Sequence, residues 1–322
     1  MAQRVVRVES LSAEGASGNK VERVFLDDGT ELVRKRVSPE WDWISRATGD
    51  DGRALKMWDA GLFDRIPPSI DHATVAVERD SESDGWCIFM RDVSDAMVGP
   101  EEVLDWPTLQ RVLSAVAELH FAFWGDDSAE LCSLEDRYHL LSPRTAKRET
   151  ENGHPVGDTI SRCWDVFTEF IPDDIAQAIL TLADRPELLA EQLRGCEKTL
   201  VHGDVRLANL GVPDDRVVLI DWGERSGFAP APVELVSFLI FDAERFDVPR
   251  DQVVAEFRRL YGDRLDERAF QLAIIGGMVQ LGPNPVLGYV LNGSESARAS
   301  AVEQLSWWAD KVAIALETWS PI

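Results

Sequence analysis

Two carboxylates and one amide carry the chemistry this sequence can do. The run Leu200-Val201-His202-Gly203-Asp204-Val205-Arg206-Leu207-Ala208-Asn209 is followed by Val217-Val218-Leu219-Ile220-Asp221-Trp222-Gly223. Two short apolar runs each deliver a carboxylate to a loop, and Pro213-Asp214-Asp215 between them reads as a turn. Leu210 to Val212 and Arg216 to Ile220 can then pair as a hairpin, with Asn209 and Asp221 meeting at its open end and Asp204 on the preceding loop. Transfer of a phosphoryl group needs a carboxylate that orients an attacking hydroxyl and takes its proton. It also needs oxygen ligands that hold magnesium against nucleotide phosphates. Asp204 is the candidate for the first task, and Asn209 and Asp221 are the candidate metal ligands.

The five-residue step from Asp204 to Asn209 matches the H-x-D-x-x-x-x-N catalytic loop, and an apolar strand ending in Asp-x-Gly matches the metal-binding element after it. HGDVRLAN followed by IDWG resembles the aminoglycoside phosphotransferase and choline kinase family, relatives of the protein kinases. Gly203 stands where protein kinases usually carry arginine. The resemblance covers nearly the whole chain in element order, with its specific motifs within residues 200–240. It implies an α+β, bilobal protein-kinase-like fold, ATP and Mg2+ as cofactors, and a small-molecule hydroxyl as acceptor. It further implies that His202 supports the backbone of the loop, and that Glu234 replaces the aspartate of the family's Asp-Leu-Ala element. Arg206 stands where many relatives carry a smaller or neutral residue, and reads either as a contact for phosphate or an anionic acceptor, or as a solvated loop residue.

The nucleotide end is read from strand alternation. Val33, Lys35 and Val37 share one face of a strand and Leu32, Arg34 and Arg36 the other, so Lys35 lies on the apolar, inward face from which it can reach phosphates. Upstream, Glu14-Gly15-Ala16-Ser17-Gly18-Asn19 offers small residues whose amides can approach phosphates, with Ser17 as the candidate contact. Trp86 to Met90, running into Arg91-Asp92-Val93, resembles the family's hinge, where backbone groups of Arg91 and Val93 would hold the adenine edge. One part is missing. Kinases pair the lysine with a glutamate on the small-lobe helix, and no glutamate occurs between Trp41 and Val77, which leaves Asp50, Asp51, Asp59 or a residue elsewhere as partner.

These residues need two kinds of scaffold. Residues 1–92 read as a β-rich lobe: Lys20 to Leu26 and Glu31 to Val37 joined by Asp27-Asp28-Gly29, one helix near Asp50 to Ala60, and strands Thr74 to Glu78 and Trp86 to Met90. Residues 93–100 read as the linker. Residues 101–322 read as a mainly helical lobe: Leu109, Val112, Leu113, Val116, Leu119 and Phe123 fall on one helical face behind Asp105 as cap, and similar patterns recur at Ile175 to Leu182, Gln252 to Tyr261 and Val302 to Leu316.

A net charge of -24 argues against nucleic acid as partner, because phosphate backbones seek basic surfaces. No apolar run approaches the roughly 18 residues of a membrane span, and MAQRVVRVES has no signal-peptide core. Cys87, Cys132, Cys163 and Cys196 form no CxxC pair, so a cytoplasmic protein is expected. The expected function is an ATP-dependent phosphotransferase acting on an aminoglycoside or other antibiotic, with Glu224, Asp242 and Glu244 available to a cationic acceptor. A sugar, choline-like or other metabolite kinase is the alternative, and an inactive nucleotide-binding scaffold is the alternative of another class.

Overall fold

The computed structural model describes residues 4–11 and 17–318. Its N-terminal part contains strands β1 (Val5–Leu11), β2 (Lys20–Leu26) and β3 (Glu31–Val37), helices α1 (Trp43–Thr48) and α2 (Arg53–Asp59), and strands β4 (Ile70–Asp71), β5 (Thr74–Arg79) and β6 (Trp86–Met90). Five of these strands form an antiparallel sheet in the order β1-β2-β3-β6-β5. The β2–β3 hairpin closes where expected: Thr30 O accepts from Leu26 N at 2.9 Å, and Asp28 Oδ1 accepts from Thr30 N at 2.9 Å.

Alternation along β3 separates two environments. Leu32 joins Val24, Leu26, Cys87 and Phe89 in a small apolar cluster on one side, while Val33 and Val37 face the large core, and buried Lys35 shares their face. Arg34 and Arg36, on the outer face, pair with Glu22 and Asp80.

The helix expected near Asp50 to Ala60 is α2, and α1 precedes it as a further helix that apolar spacing had not marked. Asp42 Oδ1 caps α1 by accepting from Ile44 N at 2.8 Å, and Gly49 ends that helix in the left-handed conformation at φ 62°. Asp50 Oδ1 then accepts from Gly52 N and Arg53 N, at 2.9 and 2.8 Å, and starts α2. The tight Gly49-Asp50 junction separates the two helices.

The larger part is helical: α3 (Trp106–Ala122), α4 (Leu134–Tyr138), α5 (Pro143–Glu151), α6 (Val156–Phe170), α7 (Asp173–Asp184), α8 (Glu187–Arg194), α9 (Pro232–Asp242), α10 (Arg250–Tyr261), α11 (Glu267–Leu281), α12 (Leu287–Asn292) and α13 (Glu295–Thr318). Asp105 caps α3 as expected, accepting from Thr108 N at 3.0 Å. Short strands β7 (Thr199–Val201), β8 (Leu210–Gly211), β9 (Val217–Leu219) and β10 (Gly227–Ala229) lie between α8 and α9. Helix α11 is buried along most of its length against α9, α13 and α7. The closeness of α9 depends on Gly277, since a Cβ there would lie 1.9 Å from Val236 Cγ1. Helix α9 matters because it carries Glu234 and Asp242 to the loop containing Asp204. Among the described residues no single helix is long and apolar enough to cross a membrane.

Candidate active site

Two small sheets hold the loops. β7 pairs with β10 and fixes the entry to His202, while β9 lies between β4 and β8. The β8–β9 pairing is shorter than the expected 210–212 with 216–220, yet Ile220 N donates to Asn209 O at 3.0 Å and extends it to the open end. Asn209 and Asp221 therefore flank one position, and Asp221 holds φ at 71°, a conformation uncommon outside glycine.

Asp204 is buried and its two oxygens differ. Oδ2 accepts from Asn209 Nδ2 at 2.9 Å, forms an ion pair with Arg225, and lies 3.5 Å from Arg206 Nε, whereas Oδ1 makes no hydrogen bond. Asn209 Nδ2 also bonds Asp204 O at 3.0 Å. Arg206 is half-buried and has its guanidinium 5.6 Å from the Phe241 ring centroid, so it is not a free solvated side chain.

His202 acts as a strut. Nδ1 accepts from Asp204 N at 3.2 Å, so Nε2 carries the proton and donates to Ile220 O at 3.0 Å, with Trp222 edge-on at 4.5 Å. Burial depresses its pKa against the pull of Glu234, Asp204 and Asp221, which keeps the ring neutral. Gly203 has φ 86°, and a Cβ on it would lie 2.1 Å from Arg225 O, so no other residue fits there. Underneath, Glu234 accepts from His202 N at 2.5 Å and from Gly203 N at 2.9 Å. Burial pushes that carboxyl upward, but facing His120, His202 and Arg137 more than offset it and hold it below its usual range. Arg137, fully buried, donates to Gly203 O at 3.2 Å and to Arg225 O.

Lys35 reaches this cluster from β3. Its Nζ donates to Asp221 Oδ1 and, at 2.8 Å, to Glu224 Oε1, which also accepts from Asn19 Nδ2 at 2.6 Å. Burial alone would lower the Lys35 pKa, but the two carboxylates overcome it and raise it, while Lys35 in turn outweighs burial at Asp221 and lowers that group. The lysine's acidic contacts are thus neither Asp50 nor Asp51 nor Asp59. Asp50 caps α2, and Asp51 pairs with Lys56 at 2.7 Å.

The expected acidic surface for a cationic acceptor needs correcting. Glu224 is occupied by Lys35, Asp242 Oδ2 accepts from Leu207 N at 2.9 Å, and Glu244 accepts from Ser300 Oγ, so these three do not form a free acidic surface. Burial pushes Asp242 up to about 6. The Arg91 N–H is taken by Ala73 O at 3.0 Å, and the Val93 carbonyl by Ala96 N at 2.9 Å. Ser17 O accepts from Trp43 N at 3.1 Å, and its hydroxyl lies 3.5 Å from Asn19 N; residues 14–16 of that loop lie outside the described residues. Arg225, Arg137 and Asn19 escaped the sequence reading. Arg137 and Asn19 act across 66 residues or more of chain, Arg225 reaches Asp204 from beyond Asp221, and none belongs to a spacing pattern that marks it.

An N-terminal sheet bearing an inward lysine, set against a helical part bearing the His202–Asn209 loop and the Asp221 hairpin, is the protein-kinase-like fold. Residues 138–270 match the model of the phosphotransferase enzyme family, APH. Spectinomycin phosphotransferase APH(9)-Ia, solved with ADP and spectinomycin, is similar over 98% of this chain and 93% of its own, at 13% identity and a TM-score of 0.52. LicA in complex with AMP is similar over 98% of this chain and 93% of that one, at 14% identity and a TM-score of 0.52. The choline kinase LicA from Streptococcus pneumoniae is similar over 97% and 94%, at 14% identity and a TM-score of 0.50. At these identities the likeness is one of fold. No curated protein sequence matches the chain.

Proposed function

We propose that this chain is an ATP-dependent small-molecule kinase that moves the γ-phosphate to a hydroxyl group. One observation carries the proposal: Lys35 on β3 contacts Asp221, the strand leading to Asp221 is bonded to Asn209, and Asn209 holds Asp204. Two segments remote in sequence, β3 and residues 204–221, meet as a phosphate-binding cation, two oxygen ligands and a carboxylate, the set that in-line phosphoryl transfer uses.

Asp204 is the catalytic residue in this reading. Asn209 and Arg225 fix Oδ2, and the unpartnered Oδ1 is left to take the hydroxyl proton as the hydroxyl oxygen attacks the γ-phosphorus and ADP departs. Arg225 and Arg206, beside that carboxylate, put positive charge where the transferring group gathers negative charge. Asn209 and Asp221 suit magnesium: the amide nitrogen of Asn209 is spent on Asp204, which leaves its oxygen, and Asp221 adds a carboxylate. Magnesium, when bound, neutralises charge on the nucleotide phosphates. Lys35 orients those phosphates, while the Arg91 carbonyl and the Val93 N–H are the hinge groups left for adenine. His202 has both ring nitrogens engaged and serves the backbone, not proton transfer.

A spectinomycin phosphotransferase and a choline kinase are among the similar structures, both named for small polar acceptors, and this supports an acceptor of that kind here. An aminoglycoside or other antibiotic is the first arm of the test, with sugars and amino alcohols as the second. The inactive-scaffold alternative rested on the missing small-lobe glutamate, and the Glu224 contact to Lys35 removes that argument.

The test is incubation with ATP, magnesium and this acceptor panel, scored by mass spectrometry for phosphorylated product. Asp204→Asn is expected to slow turnover of any hit by about 10²–10⁴-fold, the usual worth of a general base. Unchanged turnover in that variant refutes the role of Asp204, and failure of ATP to raise the melting temperature of the wild-type protein refutes the kinase reading.

A further inference from the structure

We propose that Glu224 is the residue that positions Lys35 for the nucleotide, replacing the glutamate that protein kinases carry on the small-lobe helix. This inference rests on the kinase reading above and adds to it a residue outside the catalytic motif.

Lys35 has two acidic contacts of different kinds. Asp221 is a candidate metal ligand, so a lysine held by Asp221 alone would compete with magnesium for that carboxylate. Glu224 has no such second duty. It is buried, and one oxygen, Oε1, accepts from both Lys35 Nζ at 2.8 Å and Asn19 Nδ2 at 2.6 Å. Its backbone is fixed as well, since Arg53 Nη1 of α2 donates to Glu224 O at 2.9 Å. The segment is closed further by Gly223 N donating to Ser226 Oγ at 3.0 Å, and by that hydroxyl donating to His202 O at 3.0 Å. Glu224 therefore joins the entry to β2, the lysine of β3 and the loop bearing Asp204. When Asp221 turns to the metal, Glu224 keeps Lys35 in place.

The α2 helix lies where a kinase helix glutamate would be sought, and it supplies a cation instead. Buried Arg53 grips the Glu224 carbonyl, so the helix holds the acid's backbone and the acid comes from the Asp-Trp-Gly segment. Glu224 is thus a positioning residue that acts through Lys35, and this separates it from a merely structural carboxylate or from a third metal ligand.

A double-mutant cycle on nucleotide affinity tests this, with AMP-PNP and magnesium titrated by calorimetry into the full chain as wild type, Glu224→Gln, Lys35→Met and the double variant. Glu224→Gln is expected to weaken binding about tenfold in the wild-type background, the order of a charge-assisted hydrogen bond, and by less than about twofold when Lys35 is already methionine. An equal loss in both backgrounds, as a structural or metal-ligand role would give, overturns the proposal, and so does unchanged or tighter binding by Glu224→Gln. Absent binding by wild-type protein defeats the kinase reading itself, whereas binding that depends on Lys35 but not on Glu224 defeats this inference alone. Should Glu224→Gln not fold, Glu224→Asp goes through the same cycle. It keeps the charge with one methylene less, so a loss of about threefold is expected only where Lys35 is present.

Discussion

Replacing Glu234 by alanine should loosen the His202-Gly203-Asp204 loop from below. The Glu234 carboxylate takes two backbone N–H groups, those of His202 at 2.5 Å and Gly203 at 2.9 Å, and the site is sealed from water. Alanine leaves both donors buried and unpaired, at about 1–3 kcal/mol each. The lost anion recovers some desolvation cost, because burial alone disfavours this carboxylate, so a net destabilisation of about 1–5 kcal/mol is expected. At this chain length about 2 °C accompanies each kcal/mol, which gives a fall in melting temperature of roughly 2–10 °C by calorimetry. Glu234→Gln retains one acceptor oxygen but turns an amide donor toward the other N–H, so it should melt between the two. Phosphorylation of any identified substrate should fall in both variants, since Asp204 follows directly on the loosened backbone. An alanine variant melting within about 1 °C of wild type, or a glutamine variant below alanine, would refute the reasoning.

Gly203→Ala combines a positive φ with a Cβ 2.1 Å from Arg225 O, and it should cost at least about 3 kcal/mol or abolish folding, read by the same melting experiment; a near-neutral result would mean that the loop can move. Asp242→Asn should stabilise the protein above pH 6. The folded pKa of Asp242 stands near 6, above the unfolded value of about 3.9, so the penalty for its charge is absent below the unfolded value and complete above the folded one. The advantage of asparagine over wild type should therefore grow by about 2–3 kcal/mol between pH 4 and pH 8 in denaturant titrations, and a pH-independent difference would refute it.

What the sequence made legible was what local rules determine. Asp105 capped its helix, the Asp27-Asp28-Gly29 turn closed its hairpin, and alternation placed Lys35 on the inward face, because each depends on neighbours a few residues away. The hairpin joining Asn209 to Asp221 was readable for the same reason. The short helix α1, capped by Asp42 and stopped by the left-handed Gly49, was less so, because six residues hold too little apolar periodicity to mark a helix. Long-range partners left no pattern at all. Arg225 sits in the unremarkable run Glu224-Arg225-Ser226, and only the fold brings it to Asp204, while Arg137 arrives from α4 to bond the same turn.

The missing glutamate shows why absence from a motif is weak evidence of lost chemistry. The physical requirement is a carboxylate within hydrogen-bonding distance of the Lys35 ammonium and held against thermal motion, and it does not specify which element supplies it. Here α2 approaches the Asp-Trp-Gly segment so closely that a Cβ on Gly223 would lie 2.7 Å from Ala54 Cβ. That leaves little room for a long acid reaching out from the helix, but it brings Arg53 to the Glu224 carbonyl and presents the Glu224 side chain to the lysine. The charges at the junction are redistributed between the same elements, with the cation on the helix and the acid on the loop. A search for glutamate in the helix therefore fails where the ion pair is intact.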